Sequence, residues 1–139
     1  MSKYTGRVAA VLIPRNKRKE EFLVAKRADN GDWEFPGGKQ EKDEKILDTA
    51  EREIKEEFGI EIESQEARPK YSWESGGYEI VPVLADHEYE SLDKKLEASK
   101  LEDHTAYEYV LAEKLGANLE NAEKKLGKEL NALKAYDLL

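Results

Sequence analysis

Four charged residues close together in the chain, Arg52, Glu53, Glu56 and Glu57, have the types and the spacing to do chemistry. On a helix turning about 100° per residue, the three glutamates fall within one arc roughly 100° wide. Ile46, Leu47, Ala50, Ile54 and Phe58 occupy the adjoining arc, and Glu57 sits close to its edge. A helix built only for solubility places its acids on the side away from the core. Carboxylates crowded at the margin of a buried face repel one another and resist desolvation unless a cation holds them together. Hard divalent cations take oxygen ligands, commonly a few carboxylates together with substrate phosphates. Such an ion can neutralise a polyphosphate, orient it and activate a water for attack at phosphorus. The pattern points to Mg²⁺, or Mn²⁺ in its place, and to a phosphorus–oxygen bond; the plain alternative is a solvated helix of Glu/Lys pairs.

Composition narrows the classes further. The 139 residues suit one domain spanning 1–139, long enough to bury a sizeable core. There is no cysteine, which excludes disulfides, thiolate metal sites and cysteine nucleophiles, and two histidines make a poor basis for zinc. The net charge of −8 disfavours a nucleic-acid polymer as the main partner and suits a surface that attracts metal cations. No apolar run reaches 18 residues, and MSKYTGR lacks the core of a signal peptide, so no membrane partner and a cytoplasmic location are expected.

The elements that must position the glutamates are readable in outline. Val8 to Ile13 is a buried strand, followed across a charged turn by a second strand over 21–27, as a hairpin or as neighbours. Trp33 to Phe35 is a short extended piece stopped by Pro36 and the turn-forming pair Gly37-Gly38. The helix starts near Lys45 or Ile46 and ends at Gly59 as a left-handed cap. Extended segments follow at 60–63, 70–74 and 78–85, the last two joined by Gly76-Gly77, with Pro82 marking an edge strand or a bulge. Ser91 to Lys100 reads as a helical turn or loop, 107–111 as a final strand, and Leu119 to Leu139 as a long helix with an apolar stripe. Strands, helix, strands, helix is the order of an α/β protein with a mixed sheet between helices.

Gly38, five residues, Glu44, seven residues, then Arg52-Glu53-Ile54-Lys55-Glu56-Glu57-Phe58-Gly59-Ile60 matches the Nudix box at every defined position, over 23 residues. The flanking WEFPGGK resembles the MutT-type branch of that family. The resemblance implies an α/β/α Nudix sandwich with a mixed central sheet, and an enzyme that hydrolyses a nucleoside diphosphate linked to another moiety. It implies that Glu56 and Glu57 ligate the metal with the Gly37 carbonyl and Glu53, and that Glu53 is the general base. Arg52 would orient Glu53 through a charge-assisted hydrogen bond, Glu44 would be an outer carboxylate, and Gly38 would complete the turn. A plain salt bridge bracing the loop on the helix is the other reading of Arg52 and Glu44. A further carboxylate is expected from the loop before the final strand, at Asp103, with Glu102 beside it; His104 is a surface residue or an alternative base.

Substrate choice rests on fewer residues. Arg27 matches a base-contacting arginine of the MutT type, or is an ordinary strand-end arginine. Phe35, Tyr71 and Trp73 either stack on a base or belong to the core. Asn118 either reads a base edge or caps the last helix. The expected reaction is conversion of a nucleoside triphosphate, oxidised bases included, to monophosphate and pyrophosphate. Diadenosine polyphosphates (for which Tyr78 is a hint), CTP-like nucleotides and nucleotide sugars are the alternative substrates, and a nucleotide-sensing domain without catalysis is the alternative class. Family members are monomers or homodimers, and either suits this chain.

Overall fold

The computed structural model describes residues 4–15, 21–29, 33–88, 96 and 104–111. Asp103, Asn118, Glu102 and the apolar stripe of 119–139 lie outside them, as does 91–100 apart from Leu96. Two sheets share one core. The larger has the order β4-β1-β7-β5, with β6 also on β7. It is built from β1 (Gly6–Leu12), β4 (Gly37–Lys39), β5 (Glu63–Ala67), β6 (Trp73–Ser75) and β7 (Tyr78–Asp86). β1 and β7 run parallel and the other pairs antiparallel, so the sheet is mixed. The smaller sheet, β3-β2-β8, is antiparallel and comprises β2 (Glu21–Arg27), β3 (Trp33–Glu34) and β8 (His104–Leu111). β1 and β2 therefore belong to different sheets, joined where Pro14 bridges Phe22.

The helix α1 (Ile46–Phe58) packs on β1, β4, β5 and β7. Ala50, Ile54 and Phe58 recur every fourth residue and are fully or almost fully buried, so they form one stripe. They meet Ala9, Val11 and Ile13 from the β1 segment, Leu23 and Ala25 of β2, and Val83 and Ala85 of β7. Each of the larger side chains in this cluster contributes roughly 1.5–3 kcal/mol by leaving water. Gly59 ends the helix at φ 68°, and its N–H donates to the Lys55 carbonyl at 2.9 Å, as its sequence position predicts. Among the described residues no helix is long and apolar enough to cross a membrane.

Five local expectations change. Gly37 and Gly38 are a strand rather than a free turn: they pair with Ala10 and Ala9, and Val11 donates to the Pro36 carbonyl at 2.8 Å. The segment at 60–63 is not itself a strand, because Ile60 and Ile62 are drawn into the core and pairing begins only at Glu63. Pro69 opens a 3-10 turn over Pro69–Tyr71, so the expected strand at 70–74 starts at Trp73. Pro82 sits in an interior strand without a bulge of its own. Its carbonyl accepts from Arg68 N at 2.9 Å, at the gap where β5 has ended and β6 has not begun, so its missing N–H costs no ladder bond. The final strand begins three residues earlier than expected, at His104.

Candidate functional site

The helix, the glycine strand and the loop between them converge on Arg52. Its Nε and Nη2 donate to both oxygens of Glu44 at 2.8 and 3.1 Å, a two-pronged pairing. Nη1 donates to Glu53 at 2.9 Å and to Glu56 at 3.2 Å, and Nη2 also reaches the Lys39 carbonyl at 3.1 Å. One guanidinium thus ties three acids of the expected set to the end of β4. Arg52 therefore makes the hydrogen bonds to Glu44 and to Glu53 that both readings of it call for.

Glu44 is itself held. Thr49, the buried polar residue of the core among those described, donates its hydroxyl to Glu44 Oε1 at 2.7 Å, and Glu41 N approaches the same oxygen at 3.2 Å. The Arg52 hydrogen bond first, then that from Thr49, lowers the Glu44 pKa from 4.5 to about 2. A carboxylate shifted down on folding stabilises the fold above its unfolded pKa and loses that contribution as pH falls through its folded one. The stability difference between wild type and Glu44→Gln is therefore expected to be full above pH 4.5 and to shrink from there down to about 2. Urea melts across that interval measure it; a difference that does not change with pH would contradict the Arg52–Glu44 coupling.

Glu53 shifts the other way. Burial raises its pKa, Arg52 pulls it back, the Glu56 charge adds to the rise, and a hydrogen bond with Glu57 lowers it. Its carboxyl lies directly on Gly38. A Cβ at Gly38 would stand 2.3 Å from Glu53 Cδ, inside any allowed contact. Gly37, at φ 153°, leaves no more room: its Cβ would fall 1.8 Å from the Ala9 carbonyl oxygen. The glycine pair is needed because β4 is pressed between β1 and a carboxylate.

These groups open on a cleft of about 570 Å³. Glu53, Glu57, Gly37 and Gly38 line it together with Arg27, Phe35 and Trp73. Glu56 is outside the lining: its side chain is 61% exposed and is held by Arg52. Among the described residues no three acidic or histidine side chains form a ready ligand set, since Arg52 holds Glu53 and Glu56. Phe35 is 4% exposed, so it serves as wall and core, whereas Trp73 is half-buried and keeps ring surface in the cleft. Tyr71 is not part of the lining.

Arg27 lines the cleft while engaged in ion pairs. Nε and Nη2 bond both oxygens of Asp29 at 2.8 and 2.5 Å, and Nη1 reaches Glu34 at 3.2 Å. The Asp29 hydrogen bond first, against some loss of hydration, raises its pKa, so it stays cationic. Asp29, Glu34, Lys39 and Thr49 were not singled out by sequence. Strand alternation puts Lys39 on the same face as Gly37, which emerges only once pairing with β1 makes the glycine pair a strand. Glu34 comes to Arg27 only through the pairing of β3 with β2, which sets it opposite Ala25.

Residues 5–132 match the family model described as the NUDIX domain. The chain is 42% identical over 64 residues to a MutT-like protein of Streptomyces ambofaciens, across 46% of this chain and 40% of that protein. It is 35% identical over 66 residues to an 8-oxo-dGTP diphosphatase of Buchnera aphidicola, across 43% of this chain and 46% of that protein. Each match spans less than half the length of the curated relative. Two solved structures share the fold along nearly the whole chain. The MutT protein of Methanosarcina mazei aligns with a TM-score of 0.66 at 24% identity, covering 99% of this chain and 96% of that one. The ORF135 protein of E. coli aligns at 0.60 and 27% identity, covering 96% and 93%. A family model that matches residues 5–132, almost the whole chain, establishes that this chain belongs to the Nudix family.

Proposed function

We propose that this protein is a divalent-metal-dependent hydrolase of nucleoside diphosphates linked to another moiety, acting on nucleoside triphosphates to give a monophosphate and pyrophosphate. The observation that carries the reading is the Glu53 carboxyl, half-buried, seated on Gly38, held by Arg52 and lining the cleft, with its pKa raised. The donors fit a hard cation. All are oxygens, from Glu53, Glu57 and the Gly37 carbonyl with Glu56 close by, and the carboxylates at the centre oppose each other's charge. Glu53, Glu56, Glu57 and the Gly37 carbonyl would hold Mg²⁺, or Mn²⁺ in its place. When bound, the ion offsets phosphate charge and increases the acidity of water.

The chain's own groups do the rest. Glu53, made more basic by burial, accepts the proton of a water in the cleft. The water oxygen bonds to phosphorus, the bridging phosphorus–oxygen bond breaks, and its electron pair leaves with the departing phosphate. Arg52 holds the carboxyl in place and, through Glu44 and Thr49, fixes α1 to the loop before it. Trp73 offers a flat surface for the base, and Arg27 supplies N–H donors beside it.

A panel of nucleoside triphosphates, 8-oxo-dGTP, a diadenosine polyphosphate and a nucleotide sugar, incubated with Mg²⁺ and scored for pyrophosphate against phosphate, tests the reading. Pyrophosphate release from triphosphates is expected, falling at least tenfold in Glu56→Gln and ceasing with chelator. Turnover of none of the panel by the metal-replete protein would leave a nucleotide-sensing domain instead.

A further inference from the structure

The part of the cleft lining that carries Trp73 hangs on a short strand. β6 has three residues and, among the described strands, pairs with β7 alone. Two strands joined by a tight turn are marginal in water by themselves. Yet this hairpin gives the cleft four of its lining side chains, Trp73 and Ser75 from β6 and Tyr78 and Ile80 from β7. Register sets Trp73 opposite Ile80 and Ser75 opposite Tyr78, so all four share one face.

Between those two pairs lies a third, Glu74 opposite Glu79, on the reverse face of the sheet. Like charges directly opposite each other cost stability, and each carboxylate here has its own hold. Glu74 Oε1 accepts from Gly77 N at 2.8 Å and closes the turn. Glu79 Oε1 accepts from Nε of Arg7, its register partner on β1, at 2.8 Å, and Oε2 accepts from the Ser72 hydroxyl at 3.1 Å. One carboxylate thus joins β1, β7 and the residue before Trp73. Ser72 is where the 3-10 turn hands the chain to β6, and its N–H donates to the Pro69 carbonyl at 3.0 Å. With backbone and side chain both held, Ser72 sets the direction from which Trp73 enters the cleft. The Arg7 side chain is 51% exposed, so its pair with Glu79 adds little to global stability. Its effect is local, on the hairpin.

We propose that Glu79 is a positioning residue for Trp73, and that the ring it holds in place makes the cleft favour purine over pyrimidine nucleotides. This rests on the hydrolase reading above and names the substrate class of the same site. An indole on a loose hairpin offers the same area, but each binding event must then order it, which weakens association. A purine has the wider face, so it gains more from a ring already in place.

The test compares Glu79→Ala, Trp73→Ala and the double variant Glu79→Ala/Trp73→Ala on ATP and CTP with Mg²⁺. Trp73→Ala is expected to raise KM for ATP about tenfold, a usual contribution of one base–aromatic stack, and for CTP by less. Glu79→Ala should raise the ATP KM about threefold, again more than the CTP KM, with a smaller change in kcat. The double variant should be no worse than Trp73→Ala, because Glu79 acts through the ring. Equal rises on the two nucleotides, additive losses in the double variant, or a fall in Tm without a KM effect would overturn the proposal. Binding is also read apart from turnover. The chain has two tryptophans, Trp33 and Trp73, so in a Trp33→Phe background the emission reports Trp73 alone. Titration with the non-hydrolysable α,β-methylene analogue of ATP should quench it, with about threefold weaker affinity in Glu79→Ala. Emission that the analogue leaves unchanged, or an affinity that Glu79→Ala does not alter, refutes the role of Glu79. Should the protein turn over no nucleotide, the hydrolase reading fails by itself and this titration still decides.

Discussion

Replacing Glu53 with glutamine is expected to slow nucleotide hydrolysis by about 10²–10⁴-fold, the usual contribution of a positioned general base. Glutamine keeps the shape on Gly38 and can still accept the Arg52 hydrogen bond through its carbonyl oxygen. It cannot take a proton from water, and it offers one neutral oxygen where the glutamate offers two charged ones. The fold should survive, since burial disfavours the charged form of Glu53 and the substitution removes that charge. Initial rates with saturating Mg²⁺, beside a thermal melt, separate the two effects. Wild-type turnover in Glu53→Gln would remove Glu53 from the chemistry and move the base elsewhere, the 102–104 segment being the next place to look.

Gly37→Ala is expected to cost about 3 kcal/mol of stability, because strain and overlap act at the same atom. Its φ of 153° is hard for an L side chain, and the new Cβ would stand 1.8 Å from the Ala9 carbonyl oxygen, a backbone atom that moves only if β1 moves. A loss of that size lowers Tm by roughly 10 °C in a protein of this length. Gly38→Ala should behave differently. Its Cβ meets the end of a side chain, the Glu53 carboxyl at 2.3 Å, which can swing away. Turnover should collapse while Tm falls by less. Melts and rates on the two variants read this contrast, and equal melting losses would contradict the placement of Glu53 over Gly38.

How far the sequence could foresee this arrangement depended on the range of each contact. α1 was legible because Ala50, Ile54 and Phe58 repeat at the helix period and Gly59 caps it, all within one stretch. The Arg52–Glu44 pair could be anticipated from the box, although its buried support from Thr49 could not, since a threonine on the buried side reads as a gap in the apolar pattern. The glycine pair looked like a turn because adjacent glycines after a proline suit one. Only the pairing with β1 and the packing of α1 reveal that the space above Gly37 is taken by Ala9 and that above Gly38 by Glu53. Lys39 and Tyr78 lie far apart in the chain, on strands that do not pair with each other, and nothing local to either residue foretells that the Lys39 ammonium lies 4.8 Å from the centre of the Tyr78 ring. Pro82 misled for a related reason: its edge signal was correct for the gap between β5 and β6, yet the strand that carries it is interior.

That gap has a consequence for how the molecule can change. β7 is one continuous strand, but its outer border is divided at Pro82, with β5 serving the half next to α1 and β6 the half next to the cleft. Among the described strands, β6 pairs with β7 alone. The β6–β7 turn and its neighbours Trp73 and Ser75 can therefore be lengthened, shortened or exchanged while the ladder of β1 with β7 keeps its register. Diversity in what lines the cleft can accumulate on one side of the proline without disturbing the packing of β5 against α1 on the other.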